Sequence, residues 1–273
     1  MPLDFKYFPI VYLLIVASEV IILSFSQHRK GFDLRDTFTN ILTGSIGVAI
    51  TGALLKTSVI YVLFYLYEFS LFHLPFSYWS FIPCLVLLDF LFYVAHRVSH
   101  RVNIGWAAHI VHHSSDKFNF STAIRQGWTQ HYFAVFYLPL SLIGFHPNVM
   151  ISCYIISGAI QFIQHTELVG RLPYVIEFMF TTPAHHKVHH AQNPEYIDKN
   201  YGGIFIVWDR MFGTYAEEKT NIPVIFGVPH YKKTYNLLTI NFRYYITIWN
   251  EVISAKDWRT RLGFIFRHPG WKP

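Results

Sequence analysis

Apolar residues in this chain fall in long runs rather than in the narrow stripes of a soluble amphipathic helix. Phe8–Phe25 is an 18-residue run broken only by Ser18, Glu19 and Ser24, long enough to cross a bilayer. Glu19 is costly in lipid and is expected to face protein. A second run extends from Thr37 to Phe69 behind Asp36, which reads as its N-cap. Lys56 interrupts it, so it predicts either one long tilted helix or a span followed by an interfacial turn. Leu71–Ser80, with Pro75 and no charged residue, reads as a short loop. Phe81–Val94 is a third run and leads into His96. Tyr132–Phe145 and Val149–Phe162, separated by Gly144 and Pro147, read as a helical hairpin that enters and returns on one side. From Leu172 onward charge, Gly and Pro alternate, and no further span of membrane length is predicted. No repeat of solenoid length and no low-complexity segment is present.

Composition agrees with a lipid setting. Hydrophobic residues make up 52% and charged residues 14% of the 273 positions, against about 25% charged in soluble domains. Aromatics reach 19%, a surplus that interfacial belts would use. The net charge is +6, but residues 1–95 hold only 5 of the 22 Lys/Arg and 6 of the 16 Asp/Glu, so the basic excess lies later. A basic chain this apolar reads as facing anionic lipid on the cytoplasmic side, and nucleic acid is not expected as a partner. The N-terminus has neither the basic start nor the small-residue cleavage site of a signal peptide, so the first run is expected to remain as an anchor. The loop Gln27–Asp36 carries Arg29, Lys30 and Arg35, whereas Leu71–Ser80 and His146–Asn148 carry no Lys or Arg. The positive-inside rule then puts the ends of the third run and of the returning hairpin on the cytoplasmic side. Cys84 and Cys153 each sit inside an apolar run and read as packed thiols.

The chemistry lies in histidine. Of 16 in the chain, His96 and His100 are four apart. His109, His112 and His113 form a second group, and His185, His186, His189 and His190 a third. Residues three and four apart share a helical face, so each group can aim two or three imidazoles at one point. Any one group alone reads as interfacial packing. Three together, at the cytoplasmic ends of apolar helices, would be costly to bury without a cation. His165 is expected at the same depth, where the hairpin returns. The nine candidate ligands are His96, His100, His109, His112, His113, His165, His186, His189 and His190. They are too many for one ion and suit two ions with four or five nitrogens each. Imidazole suits Zn, Cu, Fe and Ni. A structural zinc site stops at four ligands, whereas four or five neutral nitrogens with an open position suit iron that activates O₂.

Ligating histidines usually donate their second N–H to a carboxylate or carbonyl. Asp89, seven residues before His96 on the same face, is the first candidate, followed by Glu167 and Asp198, with Asp209 also in reach. His185 reads as a supporting or substrate-facing residue. His28, His73, His131, His146, His230 and His268 are isolated and read as ordinary polar residues.

The order H-x-x-x-H, H-x-x-H-H, H-x-x-H-H on a multi-pass chain resembles the fatty acid hydroxylase/sterol desaturase superfamily. Within it the chain is most similar to the alkylglycerol monooxygenase branch and its bacterial relatives. W-A-A-H-I-V-H-H-S-S (Trp106–Ser115), S-T-A-I-R-Q (Ser121–Gln126), H-T-E (His165–Glu167), T-P-A-H-H-K-V-H-H (Thr182–His190) and the stretch Ile197–Thr214 carry the resemblance, with F-G-V-P-H (Phe226–His230) also similar. The resemblance implies a di-iron centre that uses O₂ to hydroxylate or desaturate a lipid. For that branch it implies ether-lipid cleavage with tetrahydrobiopterin as electron donor. The branch typically carries Glu directly after the second histidine of the first motif, where this chain has Arg101.

The expected fold is therefore an all-α integral membrane protein of about four to five membrane helices. A histidine-lined dimetal site lies at its cytoplasmic face, beneath a helical cytoplasmic cap to which Tyr201 and Trp208 belong. Residues 1–95 would form membrane helices, 96–230 the catalytic core and 231–273 a C-terminal cytoplasmic tail. The expected activity is O₂-dependent hydroxylation or desaturation of a lipid C–H bond, with the lipid entering between the hairpin and the third helix. Electrons would come from a separate donor, tetrahydrobiopterin or a cytochrome- or ferredoxin-type partner. The bacterial inner membrane or the endoplasmic reticulum would house it. A sterol or fatty-acyl desaturase is the alternative within the superfamily; a membrane zinc hydrolase and a metal transporter or haem carrier lie outside it. Sequence alone leaves the oligomeric state open.

Overall fold

Helices α1 (Phe8–Phe25), α2 (Leu34–Leu54) and α3 (Lys56–Glu68) lead into the longest one, α4 (Tyr78–Arg101). These coordinates are a computed structural model, which describes residues 8–25, 32–54 and 56–273. His28, Arg29, Lys30 and the side chain of Lys56 lie outside the described residues. Next come α5 (Asn103–His113), α6 (Phe120–Ile124), a 3₁₀ helix (Gln130–Tyr137), α7 (Leu138–Ile143) and α8 (Pro147–Ile163). Four short or amphipathic helices precede the last: α9 (Tyr174–Met179), α10 (Pro183–His189), α11 (Val207–Phe212) and α12 (Leu237–Ser254), then α13 (Trp258–Phe266). The described residues contain isolated bridges but no strand, so the all-α expectation holds.

The apolar runs divide more finely than expected. Among the described residues only α4 is both long and apolar enough to cross a membrane; Ile10–Phe25, Ser58–Glu68 and Pro147–Ile163 are shorter apolar helices. The outgoing limb of the hairpin is not one helix. It winds as 3₁₀ over Gln130–Tyr137 and becomes α-helical only at Leu138, where Pro139 occupies the first turn. The second run starts earlier than Asp36. Asp33 caps α2, its Oδ1 accepting from Arg35 N at 2.9 Å and Asp36 N at 3.3 Å. Asp36 sits inside the first turn and turns inward, accepting from Ser115 Oγ at 2.6 Å.

One packed seam joins α3, α4, α7 and α8. Leu88 and Cys84 from α4 meet Val149, Met150 and Cys153 from α8, all at most 2% exposed. The two thiols are free core residues, as expected. These side chains fill the seam between α4 and α8 that the sequence suggests as a lipid route. On α1, Val16, Glu19 and Leu23 turn inward while Leu14 and Ile21 face out. Glu19 meets protein as its cost in lipid demands: it accepts from Phe120 N at 2.6 Å and Thr166 Oγ1 at 2.5 Å.

Two devices set the histidine-bearing helices α4 and α5. Ser77 and Ser80 form a capping box that starts α4. Val102 is extended (φ −114°, ψ 123°) and breaks α4 from α5 in a single residue. Gly105 then lets α5 fold back on α4, since a Cβ there would lie 3.0 Å from Ser99 Cα. Residues 231–273 are more than a tail. α12 and α13 pack on the start of α5, where Asn103 donates to Phe264 O at 2.7 Å and accepts from Tyr244 Oη at 2.8 Å.

Candidate metal centre

The turn at Val102 places His109 and His113 of α5 against His96 and His100 of α4. His96 Nε2 lies 3.0 Å from His109 Nε2, and His113 Nε2 lies 3.2 Å from the same nitrogen. α10 brings in the third motif. Its N-terminus is fixed by Thr182 and by Pro183 in the first turn. His185 is spent there: its Nδ1 lies 3.3 Å from Thr182 N, and the ring rests on Tyr215. His185 therefore supports the helix and stays out of the cluster.

The nine candidate histidines form two adjoining groups. His96, His100, His109, His113 and His189 make one; His112, His165, His186 and His190 make the other. Within each, one nitrogen per ring lies within 4.8 Å of all the others. The groups touch through His113 and His190, whose ring centroids are 4.4 Å apart. No ring is more than 7% exposed.

Hydrogen bonds at the outer nitrogens fix the tautomers. His96 Nδ1 lies 2.8 Å from Tyr201 O, His189 Nδ1 2.8 Å from Lys199 O, His165 Nδ1 2.8 Å from Gln161 O and His112 Nδ1 3.1 Å from Arg125 O. A carbonyl only accepts, so each of these Nδ1 atoms carries the proton and each Nε2 carries a lone pair. His112 Nε2 and His165 Nε2 nevertheless face each other at 3.2 Å. Two lone pairs at that distance repel, and a cation between them removes the conflict. His100 Nε2 and His189 Nε2 are likewise buried with no hydrogen-bond partner. Nitrogens about 2.1 Å from a common centre would be about 3 Å apart along an edge, which matches the 2.9–3.2 Å separations here. The donor set thus fits two metal ions, one with five imidazoles and one with four.

Protonation does not interfere. Burial pushes His112 down to about 3 and His189 down to about 4, although the carbonyls of Arg125 and Lys199 oppose the shift. Burial, then neighbouring imidazoles, holds His109, His113, His186 and His190 well below the usual range. The rings are neutral donors at physiological pH.

The expected carboxylate supports act at one remove. Asp89 accepts from Ile204 N (2.6 Å), Phe205 N (3.0 Å) and Trp208 Nε1 (2.9 Å) rather than from His96. Asp209 accepts from Tyr201 N (2.8 Å), Gly202 N (2.7 Å) and Thr214 Oγ1 (2.6 Å). Together they clamp the loop that presents the Lys199 and Tyr201 carbonyls. Gly203 is required there, because a Cβ would lie 2.7 Å from Asp89 Oδ1. Asp198 comes closest to a ring, with Oδ1 3.8 Å from His100 Nδ1, while its Oδ2 binds Arg101 at 2.6 Å. Arg101 thus neutralises the acid beside His100. Glu167 is half-buried; within its H-T-E segment Thr166 makes the contact to α1. Of the two expected cap residues, Tyr201 packs edge-on to His100 at 5.1 Å and Trp208 anchors on Asp89.

Sequence reasoning missed Arg125. Its side chain is 2% exposed. It donates to Val111 O, Asn40 Oδ1 and Ser114 Oγ, each at 2.8 Å, and lies 4.0 Å from Asp36. It ties α2 to the end of α5 while its own carbonyl holds His112. Its place in the S-T-A-I-R-Q stretch, two residues after the S-T-A of a capped helix, is the local signal, and it does not reveal burial.

The fatty acid hydroxylase family profile matches residues 81–214. The alkylglycerol monooxygenase of Xenopus tropicalis is 34% identical over 265 residues, covering 96% of this chain and 58% of that protein. That of Danio rerio is 41% identical over 214 residues, covering 77% and 47%. The ornithine lipid hydroxylase OlsE of Rhizobium tropici is 28% identical over 133 residues, covering 48% and 40%. The chain spans about half the length of the curated relatives it matches. No solved structure matches it. The profile match takes in all nine clustered histidines, from His96 to His190, and with these relatives it supports assignment of the chain to the fatty acid hydroxylase superfamily.

Proposed function

We propose that the chain is an O₂-dependent di-iron lipid monooxygenase, with ether lipids of the alkylglycerol type as its substrate class. The opposed lone pairs of His112 and His165 carry the metal reading, and the alkylglycerol monooxygenase relatives support the substrate. The proposed ligands are His96, His100, His109, His113 and His189 for one ion, and His112, His165, His186 and His190 for the other. Iron bound there supplies O₂ activation and the one-electron chemistry that an unactivated C–H bond requires. The protein supplies the rest. Backbone carbonyls lock four ring tautomers so that the inward nitrogens need no reorganisation. Burial keeps water away from the rings, so solvent would compete little with substrate there. Asp89 and Asp209 hold the loop over the site in one position. Electrons come from a separate donor, tetrahydrobiopterin or a cytochrome- or ferredoxin-type partner. The charge pattern supports a multi-pass membrane protein with the site at the cytoplasmic face.

Metal analysis of purified protein, followed by turnover of an alkylglycerol under ¹⁸O₂ with tetrahydrobiopterin, tests this reading. Two irons per chain and one ¹⁸O atom in the product are expected, with acyl and sterol substrates run alongside. Full activity with zinc and without O₂ would overturn it.

A further inference from the structure

We infer that the C-terminal helical pair α12–α13 is a docking surface for anionic lipid headgroups, lying along the membrane rather than across it. This rests on the proposed membrane setting and adds to it a surface outside the span-forming runs. α12 has two apolar faces. Ile240 and Ile248 are buried toward the rest of the chain. Leu238, Phe242, Ile246, Trp249 and Ile253 are exposed by 38–64%. At about 100° per residue these five fall within an arc of about 80°, on a side of the helix turned away from the buried residues. α13 repeats the pattern with Trp258, Leu262 and Phe266, exposed by 44–65%. A continuous stripe of that kind on a short helix is what an interfacial helix presents to the headgroup and acyl boundary.

Charge identifies the occupant. Residues 231–273 contain 8 Lys/Arg and 2 Asp/Glu, a net charge of +6 that equals that of the whole chain. The preceding 230 residues therefore balance to zero. Lys256, Arg259 and Arg267 are exposed, and no ion pair among the described residues holds them. Arg259 lies over the Trp258 ring at 5.5 Å, and Arg267 over Trp271 at 5.4 Å. Basic groups set beside the exposed Trp258 and the half-buried Trp271 match a negatively charged leaflet, where aromatic rings sit at headgroup depth. The same surface is wired to the site, because α5 begins at Asn103 between Phe264 and Tyr244 and ends in His112 and His113.

The test places a single spin label in the full chain, reconstituted in nanodiscs of phosphatidylcholine with 30% phosphatidylglycerol. Labels go at Leu14→Cys on α1, Ile246→Cys and Ile253→Cys on the α12 stripe, and Thr247→Cys off it. Collision with lipid-soluble O₂ and with a water-soluble nickel chelate is compared at each. O₂ should dominate at 14, 246 and 253, and nickel at 247. Replacing phosphatidylglycerol with phosphatidylcholine, or combining Lys256→Gln with Arg259→Gln, should shift 246 and 253 toward nickel and leave 14 unchanged. Nickel dominance at 246 and 253 with O₂ dominance at 14 overturns the inference alone. Nickel dominance at 14 as well removes the membrane setting itself. Protection at 246 and 253 that is insensitive to lipid charge, with dipolar coupling between copies, would assign the stripe to a second chain and equally overturn the inference.

Discussion

Replacing Asp89 with Asn leaves the size of the side chain unchanged and removes one acceptor from a site that has only donors. The carboxylate takes three N–H groups, two on Oδ2 and one on Oδ1. The amide can keep its oxygen toward Phe205 and Trp208, but its NH₂ then meets the N–H of Ile204, 2.6 Å away in the native arrangement. One hydrogen bond to a charged group is lost, at about 1.5–3 kcal/mol, and the two survivors weaken to about 1 kcal/mol each. The neutral amide recovers part of this through a smaller desolvation cost, which leaves a net loss of about 2–4 kcal/mol. At this chain length that lowers Tm by roughly 5–10 °C. The damage is local. The loosened loop carries the Tyr201 and Lys199 carbonyls, which orient His96 and His189 in the five-histidine group. His112 and His165 depend on Arg125 and Gln161 instead. Elemental analysis after dialysis against a weak chelator should show iron falling from two toward one per chain, with affinity at the weakened site down about 10–100-fold. Two irons retained with an unchanged Tm would refute the reasoning. Equal loss from both groups would show that Asp89 supports the whole fold rather than one half of the centre.

His189→Ala and His112→Ala remove one ligand from different groups, so each should abolish turnover while retaining about one metal per chain. Activity in either variant would contradict a shared centre. Arg125→Met strands Asp36 in the interior and should cost about 3–5 kcal/mol in thermal or denaturant unfolding. Arg125→Lys should rescue only part of it, since one ammonium cannot reach Val111 O, Asn40 and Ser114 together. The metal-free protein should be acid-sensitive. The unfolded chain takes up protons at histidine below pH about 6.5, whereas buried His112 and His189 resist down to about 3 and about 4. Stability is therefore full above pH 6.5 and falls as pH drops toward 4, by about 2 kcal/mol per such histidine at pH 5. Flat denaturation midpoints from pH 8 to pH 5 would contradict this.

The histidine grouping was legible because helical periodicity is local: a spacing of three or four residues puts rings on one face wherever the helix goes. His165 was legible for another reason, since counting apolar runs fixes where α8 ends. The groups that hold the rings were not legible. Tyr201, Lys199, Gln161 and Arg125 act through carbonyl oxygens, and a backbone atom leaves no mark in residue type. Asp89 drew attention by lying on the face of His96, yet its partners are over a hundred residues away and could not be read from spacing. The segment from Gln130 to Ile143 shows a second limit. Its apolar composition is the same whether it winds as α or 3₁₀, so one membrane helix was expected where two short pieces occur. The C-terminal helices were hidden by polar residues interleaved with their exposed stripe.

The carbonyls that hold His96, His112, His165 and His189 bring no charge with them. A carboxylate in that place would draw the ring proton toward itself and make the imidazole partly anionic. A carbonyl leaves it a plain dipole. Two cations held by the buried cluster would therefore keep most of their charge at these four rings, which no hydrogen-bonded carboxylate offsets. Withdrawing an electron there would add charge to a medium that solvates it poorly, so the midpoint potential rises and the lower valence is favoured.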